Sequence, residues 1–349
     1  MKVGILTFYH VRNIGACLQA FAMKEVLENE GHEVYFVKGY DRKFALQLFI
    51  NDTGRMWPWK LPFIIKKEAG FRSYFKRFRT IETDRTDEMD CVVIGSDSLW
   101  ASHYGKTLTP SSFLGDIVCK RIGSYAVSVG GEYSLSTYTE KQKECLRKLD
   151  FYTCRDTRTY DFIREVCGVE AELVCDPTML IDWKNIVSNY NERMDLSNSI
   201  VVYGGLSKNV IKFLKEYAEK NSYSLVNIGI YNRNFPVSTA VSPDEFIYVL
   251  DRAKYVITSM FHGVMLAVGL NKQFRYISMD PKRDIKLGAA VDALGLRDYC
   301  IKPKVLKDGY EIFEKKIDYD IVNERKNNFS EKSKNTLLSN IWGGVLLGS

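Results

Sequence analysis

Three residues of this chain are suited to chemistry by type and position: His262, Arg155 and Lys282, each just past an apolar, strand-like run. His262 follows Tyr255–Thr258 in the turn Ser259-Met260-Phe261-His262-Gly263. An imidazole there can protonate or deprotonate a bound substrate near neutral pH. Arg155 follows Phe151–Cys154, with Asp156 beside it and Arg158 one helical turn on. Its planar fork suits a carboxylate or phosphate. Lys282 follows Phe274–Ile277 in Asp280-Pro281-Lys282. Converging, the three describe a pocket for a small, multiply charged anion. Each also has a purely structural reading: a histidine satisfied in a turn, an arginine–aspartate pair fixing a loop, a solvated lysine.

Two more loops carry candidate ligand residues. Gly95-Ser96-Asp97 follows the run Cys91–Ile94 and is trailed by Trp100. A carboxylate and an indole at a cleft suit a sugar, with Asp97 on hydroxyls and Trp100 stacked on the apolar ring face. The structural alternative is that Asp97 caps the following helix. In the first loop, Asn13 and Gly15 precede a helix start, which can offer backbone N–H groups to an anionic or hydroxyl-rich ligand. No G-x-G-x-x-G accompanies them, which disfavours nicotinamide and flavin enzymes. His10, His32 and His103 sit in contexts that do not single them out, and no metal-ligand spacing is visible.

The elements that must position these loops alternate along the chain. Val3–Phe8 reads as a strand. A helix over about Ala16 to Glu30 buries Leu18, Phe21, Ala22 and Val26, and Gly31 stops it ahead of a strand at His32–Val37. Strands are expected again at Cys91–Ile94, Ile122–Ala126, Phe151–Cys154 and Glu172–Cys175. The pattern restarts with Ile200–Tyr203, Leu225–Ile228, Tyr255–Thr258 and Phe274–Ile277. Ser242-Pro243-Asp244-Glu245 is a strong helix start. Such alternation implies parallel sheets covered by helices. The expected architecture is α/β with two Rossmann-like domains: residues 1–185 with an insertion at 42–87, residues 198–325, and a helical tail at 326–349. Ligands should bind in the cleft between the halves, at the carboxyl ends of strands.

The 349 residues suffice for two cores of ordinary size. No apolar stretch reaches the ~18 residues of a membrane helix, and the N-terminus is too short and interrupted for a secretory signal. Eight scattered cysteines form no C-x-x-C pair, which points to reduced thiols in a cytoplasmic protein. The net charge of +6 is local: residues 42–79 hold ten Lys/Arg and two acids, so the rest of the chain carries −2. A whole-protein argument for nucleic acid therefore fails. Within that insertion Phe71, Tyr74, Phe75 and Phe78 fall on one helical face, with Arg72, Lys76, Arg77 and Arg79 off it. The readings are a helix packed on the first domain or, with Trp57 and Trp59 nearby, contact with an anionic membrane surface; basic–aromatic interleaving can also suit single-stranded nucleic acid, which the apolar helical spacing argues against.

Four stretches together resemble the polysaccharide pyruvyl transferases: Asn13-Ile14-Gly15-Ala16 with Leu18-Gln19-Ala20, Val93-Ile94-Gly95-Ser96-Asp97 with Trp100, Arg155-Asp156 with Asp176-Pro177-Thr178, and Ser259-x-Phe-His262-Gly263. The resemblance spans about residues 1–300, except the basic insertion. It implies two domains arranged as in GT-B glycosyltransferases, with transfer of a pyruvyl group from phosphoenolpyruvate to a saccharide. The product would be a pyruvate ketal on a cell-surface polysaccharide or its lipid-linked precursor. It further implies His262 as general acid, with Arg155 and Lys282 on the donor's carboxylate and phosphate. Asn13, Gly15, Ser96, Asp97, Trp100, Arg158, Ser259 and Gly263 would line the substrate site, with no cofactor and no metal. Gln and Asn often follow Gly-Ser-Asp in that family, whereas Ser98 and Ala101 stand here. Two other classes share the features: a GT-B glycosyltransferase using a nucleotide sugar, and a non-catalytic sugar- or anion-binding protein.

Overall fold

The structure, a computed structural model, describes residues 1–53, 58–104, 107–131, 133–188, 195–304 and 311–343, with the side chains of 42, 51–53, 104, 107, 282, 283 and 312 outside the description. The first half runs β1 (Lys2–Leu6), α1 (Ile14–Asn29), β2 (Glu33–Lys38), α2 (Arg42–Thr53), α3 (Leu61–Phe75), β3 (Thr80–Glu82) and β4 (Cys91–Asp97). It continues through a hairpin, β5 (His103–Tyr104) and β6 (Thr107–Leu108), then β7 (Ile122–Val127), α4 (Glu140–Arg147), β8 (Phe151–Cys154), α5 (Thr157–Cys167), β9 (Glu172–Leu173) and α6 (Trp183–Ser188). The second half runs β10 (Ser199–Tyr203), α7 (Lys208–Lys220), β11 (Ser224–Ile228), β12 (Val237–Thr239), α8 (Pro243–Arg252), β13 (Tyr255–Thr258) and α9 (Phe261–Gly269). It ends with β14 (Phe274–Ile277), α10 (Pro281–Leu294), β15 (Cys300–Ile301) and α11 (Tyr319–Ile341).

Each half holds one parallel sheet, in the orders β3-β2-β1-β4-β7-β8-β9 and β12-β11-β10-β13-β14-β15. Central strands are buried on both faces, which is why they read as unbroken apolar runs: Val3, Ile5 and Leu6 of β1 and Ile200, Val201 and Val202 of β10 are fully buried. Strand order reverses direction between β1 and β4 in one sheet and between β10 and β13 in the other. A crevice opens at the carboxyl ends there, because successive loops leave toward opposite sides.

Local chemistry sets the helix ends. Asn13 caps α1, Asp156 caps α5, and Ser242 with Glu245 forms a reciprocal capping box on α8. Eleven of the sixteen residues of α1 are buried, more than one amphipathic face, because helices of the second half cover its other side. The last helix, α11, returns to the first half: Ser333 accepts from the Cys175 amide at 2.9 Å, and Arg121 donates to the Asn340 carbonyl at 2.7 Å.

The insertion holds two features beyond the packed helix. It contains a strand, since β3 pairs in parallel with β2. Its basic face is partly consumed by the second half. Arg77 makes a bidentate pair with Asp244 (2.8 and 2.8 Å), Lys66 lies 3.9 Å from Glu245, and Gly70 packs so closely on Ser242 that a Cβ would come within 2.8 Å of the serine Cβ. Phe71, Tyr74, Phe75 and Phe78 are buried, as a helix packed on the first domain requires. Trp57 lies outside the described residues.

Candidate active site

The loops at the two reversal points bring together Asp97 at the end of β4, Gly15 at the start of α1, and His262 in the first turn of α9. Arg155 follows β8, which β7 separates from β4 in the sheet, and is only 4% exposed. Its guanidinium donates from Nη1 to Asp176 Oδ2 at 2.5 Å and from Nη2 to Asp97 Oδ1 at 3.1 Å, and lies over the Phe261 ring at 4.5 Å. Asp176 Oδ2 also accepts from the Ser96 hydroxyl at 3.0 Å, while Oδ1 accepts from the Thr178 amide and hydroxyl at 3.1 and 2.7 Å. His262 Nε2 stands 3.6 Å from Asp176 Oδ2, with the side chain 11% exposed. The imidazole is pressed against Gly15, where a Cβ would fall 2.4 Å from Nδ1.

The electrostatics follow from this packing. Burial alone would raise the Asp176 carboxyl, but the charges of His262 and Arg155 and the Thr178 hydrogen bonds hold it well below the usual carboxylate range. Asp97 is likewise lowered against its burial, by Arg155, His262, the Ser98 amide and Lys286. Asp97 sits at φ 89°, a region L-residues rarely adopt, and donors from Arg155 and Ser98 hold it there. Lys286, on α10, reaches across the cleft to donate to the Ser98 hydroxyl at 2.9 Å.

The expected site residues divide. Gly15, Asp97, Arg155 and His262 come together, but Arg155 spends both terminal nitrogens on carboxylates, leaving only buried Nε without a partner. It orients the acids rather than presenting an open fork. Trp100 is no sugar platform: it is fully buried, donates from its indole to the Phe113 carbonyl at 2.8 Å, and packs near Phe162. Ser96 is also fully buried, beneath Asp176. Ser259 is buried and donates to the Gly205 carbonyl at 3.0 Å, tying two loops together. Gly263 is a packing residue, since a Cβ would fall 2.2 Å from Thr258 Oγ1. Asn13 uses its side-chain oxygen on the Ala16 amide, and Arg158 donates to the Gly131 carbonyl. Lys282 is not in a loop but is the second residue of α10, and its side chain lies outside the described ones.

Asp176 and Lys286 also belong to the site, although neither is among the residues expected there. Asp176 carried a signal, in that it follows a strand in Asp-Pro-Thr as Asp97 follows one in Gly-Ser-Asp. Lys286 carried only its place one helical turn beyond Lys282. Among the described residues no His/Cys/Asp/Glu group of three could hold a metal ion.

Solved structures with this architecture are distant in sequence. The S. aureus MnaA–UDP co-structure aligns with a TM-score of 0.56 at 10% identity, covering 100% of this chain and 99% of that one. UDP-GlcNAc 2-epimerase from Neisseria meningitidis bound to UDP-GlcNAc aligns at 0.54 and 11%, covering 98% and 100%. An alpha-glucosyltransferase in complex with UDP aligns at 0.50 and 11%, covering 95% of each chain. These likenesses establish the fold, two Rossmann-like halves in the GT-B arrangement. No sequence match was found among curated proteins. The sequence model of the family described as polysaccharide pyruvyl transferase matches residues 13–281, a stretch that begins at the cap of α1 and ends at the first residue of α10 and so contains the whole Asp97–Arg155–Asp176–His262 cluster. The chain belongs to the polysaccharide pyruvyl transferase family and is a pyruvyltransferase.

Proposed function

We propose that the protein transfers a pyruvyl group from phosphoenolpyruvate to two hydroxyls of a saccharide, closing a pyruvate ketal and releasing inorganic phosphate. The observation that carries this reading is His262, at the cleft, beside a buried carboxylate that Arg155 and Thr178 hold ionised. A proton donor kept in one orientation is what ketal formation requires.

In this reading His262 gives its proton to the donor's methylene carbon, which becomes a methyl group, and positive charge develops at the adjacent carbon. One acceptor hydroxyl oxygen bonds to that carbon and loses its proton. The carbon–oxygen bond to phosphate then breaks, phosphate leaving with the electron pair, and the second hydroxyl adds and loses its proton. Of the two acceptor protons, one restores His262 and one leaves with phosphate. Asp176 fixes the imidazole, and Arg155 fixes Asp176 and Asp97. Lys286 and the start of α9, which has no side-chain cap, supply positive potential for the donor's carboxylate and phosphate. Asp97 is the acceptor's hydrogen-bonding partner. The acceptor is a cell-surface polysaccharide or its lipid-linked precursor, and no cofactor takes part. Eight cysteines, none of them in a disulfide, support a cytoplasmic setting.

The test is phosphate release from phosphoenolpyruvate in the presence of a panel of nitrophenyl and lipid-linked sugars, run beside the same panel with nucleotide sugars. Release that depends on a sugar, with mass transfer of pyruvate to it, supports the reading. Transfer of a glycosyl group from a nucleotide sugar instead would replace it.

A further inference from the structure

Helix α3 buries Phe71, Tyr74 and Phe75 on one side, so its opposite stripe should be polar. It is not. Leu61 and Ile65, one turn apart, are each more than half exposed, as is Trp59 just before them. On α2, Leu46 and Ile50 repeat the pattern at the same spacing, again more than half exposed. Among the described residues, five of the fourteen exposed large apolar side chains thus fall within twenty residues. Further along, the exposed stripe turns basic, at Arg72 of α3 and Lys76 just past its end, and Lys43 is exposed on α2. None of these three has a carboxylate partner among the described residues, unlike Arg77 and Lys66, which the second half has taken.

We propose that this exposed face of α3, with Trp59 before it, is a docking surface for an anionic lipid bilayer. Trp59, Leu61 and Ile65 enter the headgroup layer, while Arg72 and Lys76 meet lipid phosphates. Apolar side chains flanked by unpaired cations match that boundary, where a tryptophan is at home and each nearby cation adds attraction that salt screens. A second copy of this chain is the poorer occupant, because Arg72 and Lys76 of one copy would meet the same cations on the other. The inner side of α3 lines a small cavity with Arg12, Gly229 and Tyr231, and Gly229 backs onto Ile14, next to Gly15. The helix that carries the docking face therefore lies beside the cleft. The proposal stands independently of the donor chemistry.

Co-sedimentation of the full chain with vesicles tests it. Binding is expected to vesicles containing phosphatidylglycerol at low salt, and not to phosphatidylcholine alone. Two double variants separate the contributions: Leu61→Ser with Ile65→Ser, and Arg72→Gln with Lys76→Gln. Each should lower the partition coefficient on the order of tenfold with circular dichroism unchanged. Absence of binding to anionic vesicles, equal binding to neutral ones, or wild-type partition by either variant would overturn the proposal. So would a concentration-dependent dimer that the Leu61/Ile65 variant loses, since the face would then be a contact between copies.

Discussion

The imidazole of His262 lies against the backbone of Gly15, so closely that a Cβ on residue 15 would sit 2.4 Å from Nδ1 and 2.6 Å from the histidine Cβ. One residue comes from the first half and one from the second, so the position of the proton donor depends on how the halves meet.

Gly15→Ala should therefore act as a lesion of His262. The added methyl must move the ring, and an ångström of displacement at a reacting group costs roughly a hundredfold. Turnover should fall by ~10²-fold while His262→Ala falls by ~10²–10⁴. The two changes combined should cost no more than His262→Ala alone. A double variant that loses the product of the two single effects would show that Gly15 works separately from His262.

Asp176 is the hub of the buried charges, with Ser96, Arg155, Thr178 and His262 all on it. Asp176→Asn removes the charge but leaves Arg155 buried with half its compensation, which should cost ~3–5 kcal/mol in urea unfolding. The pH dependence follows from the depressed folded pKa. An Asp of this kind binds more protons unfolded than folded. Its contribution is therefore whole above about pH 5 and is lost as pH falls through the unfolded value of ~3.9 toward the folded one. The acid limb of the wild-type stability curve should be steeper than that of Asp176→Asn. Parallel limbs would mean that other carboxylates govern acid unfolding.

Trp100 separates a core role from a sugar-binding one. Trp100→Ala should destabilise by ~3–5 kcal/mol, as large aromatic truncations in cores do. Trp100→Phe keeps most of the packing and loses the hydrogen bond to the Phe113 carbonyl. Its KM for the saccharide should match that of the wild type. A raised KM in a fully folded Trp100→Phe enzyme would return the indole to the site.

Much of this was readable from residues alone, and the misses share a cause. The βα alternation, the Ser242 capping box and the turn at His262 are local patterns, written within a few consecutive residues. Whether a side chain faces the cleft or the core is not local. Ser96, Asp97 and Trp100 sit within five residues, yet only Asp97 reaches the site, because β4 ends in an irregular turn that sends its neighbours inward. The role of Asp176 depends on meeting a residue 80 positions earlier and one 86 positions later. The short edge strands β3, β12 and β15 have two or three residues each, too few for periodicity to register. The same limit hid Lys286, because the fold begins α10 at Pro281 and so carries the next turn of that helix, not a loop, up to Ser98.

That placement leads to the last prediction. Lys286 Nζ donates to Ser98 across the cleft, next to Asp97, whose carboxyl it helps to lower. In the proposed reaction its charge faces the donor, while the chemistry depends on His262. Lys286→Met should therefore raise KM for phosphoenolpyruvate by about tenfold, the worth of one charge-assisted hydrogen bond of ~1.5 kcal/mol, and leave kcat within a fewfold. Lys286→Arg should restore part of the affinity, which a merely structural contact to Ser98 would not require. Ser98→Ala breaks the same bridge while keeping the charge, so it should leave the donor KM close to that of the wild type. If Ser98→Ala and Lys286→Met raise KM equally, Lys286 serves to hold the halves together and the donor's charge is met elsewhere.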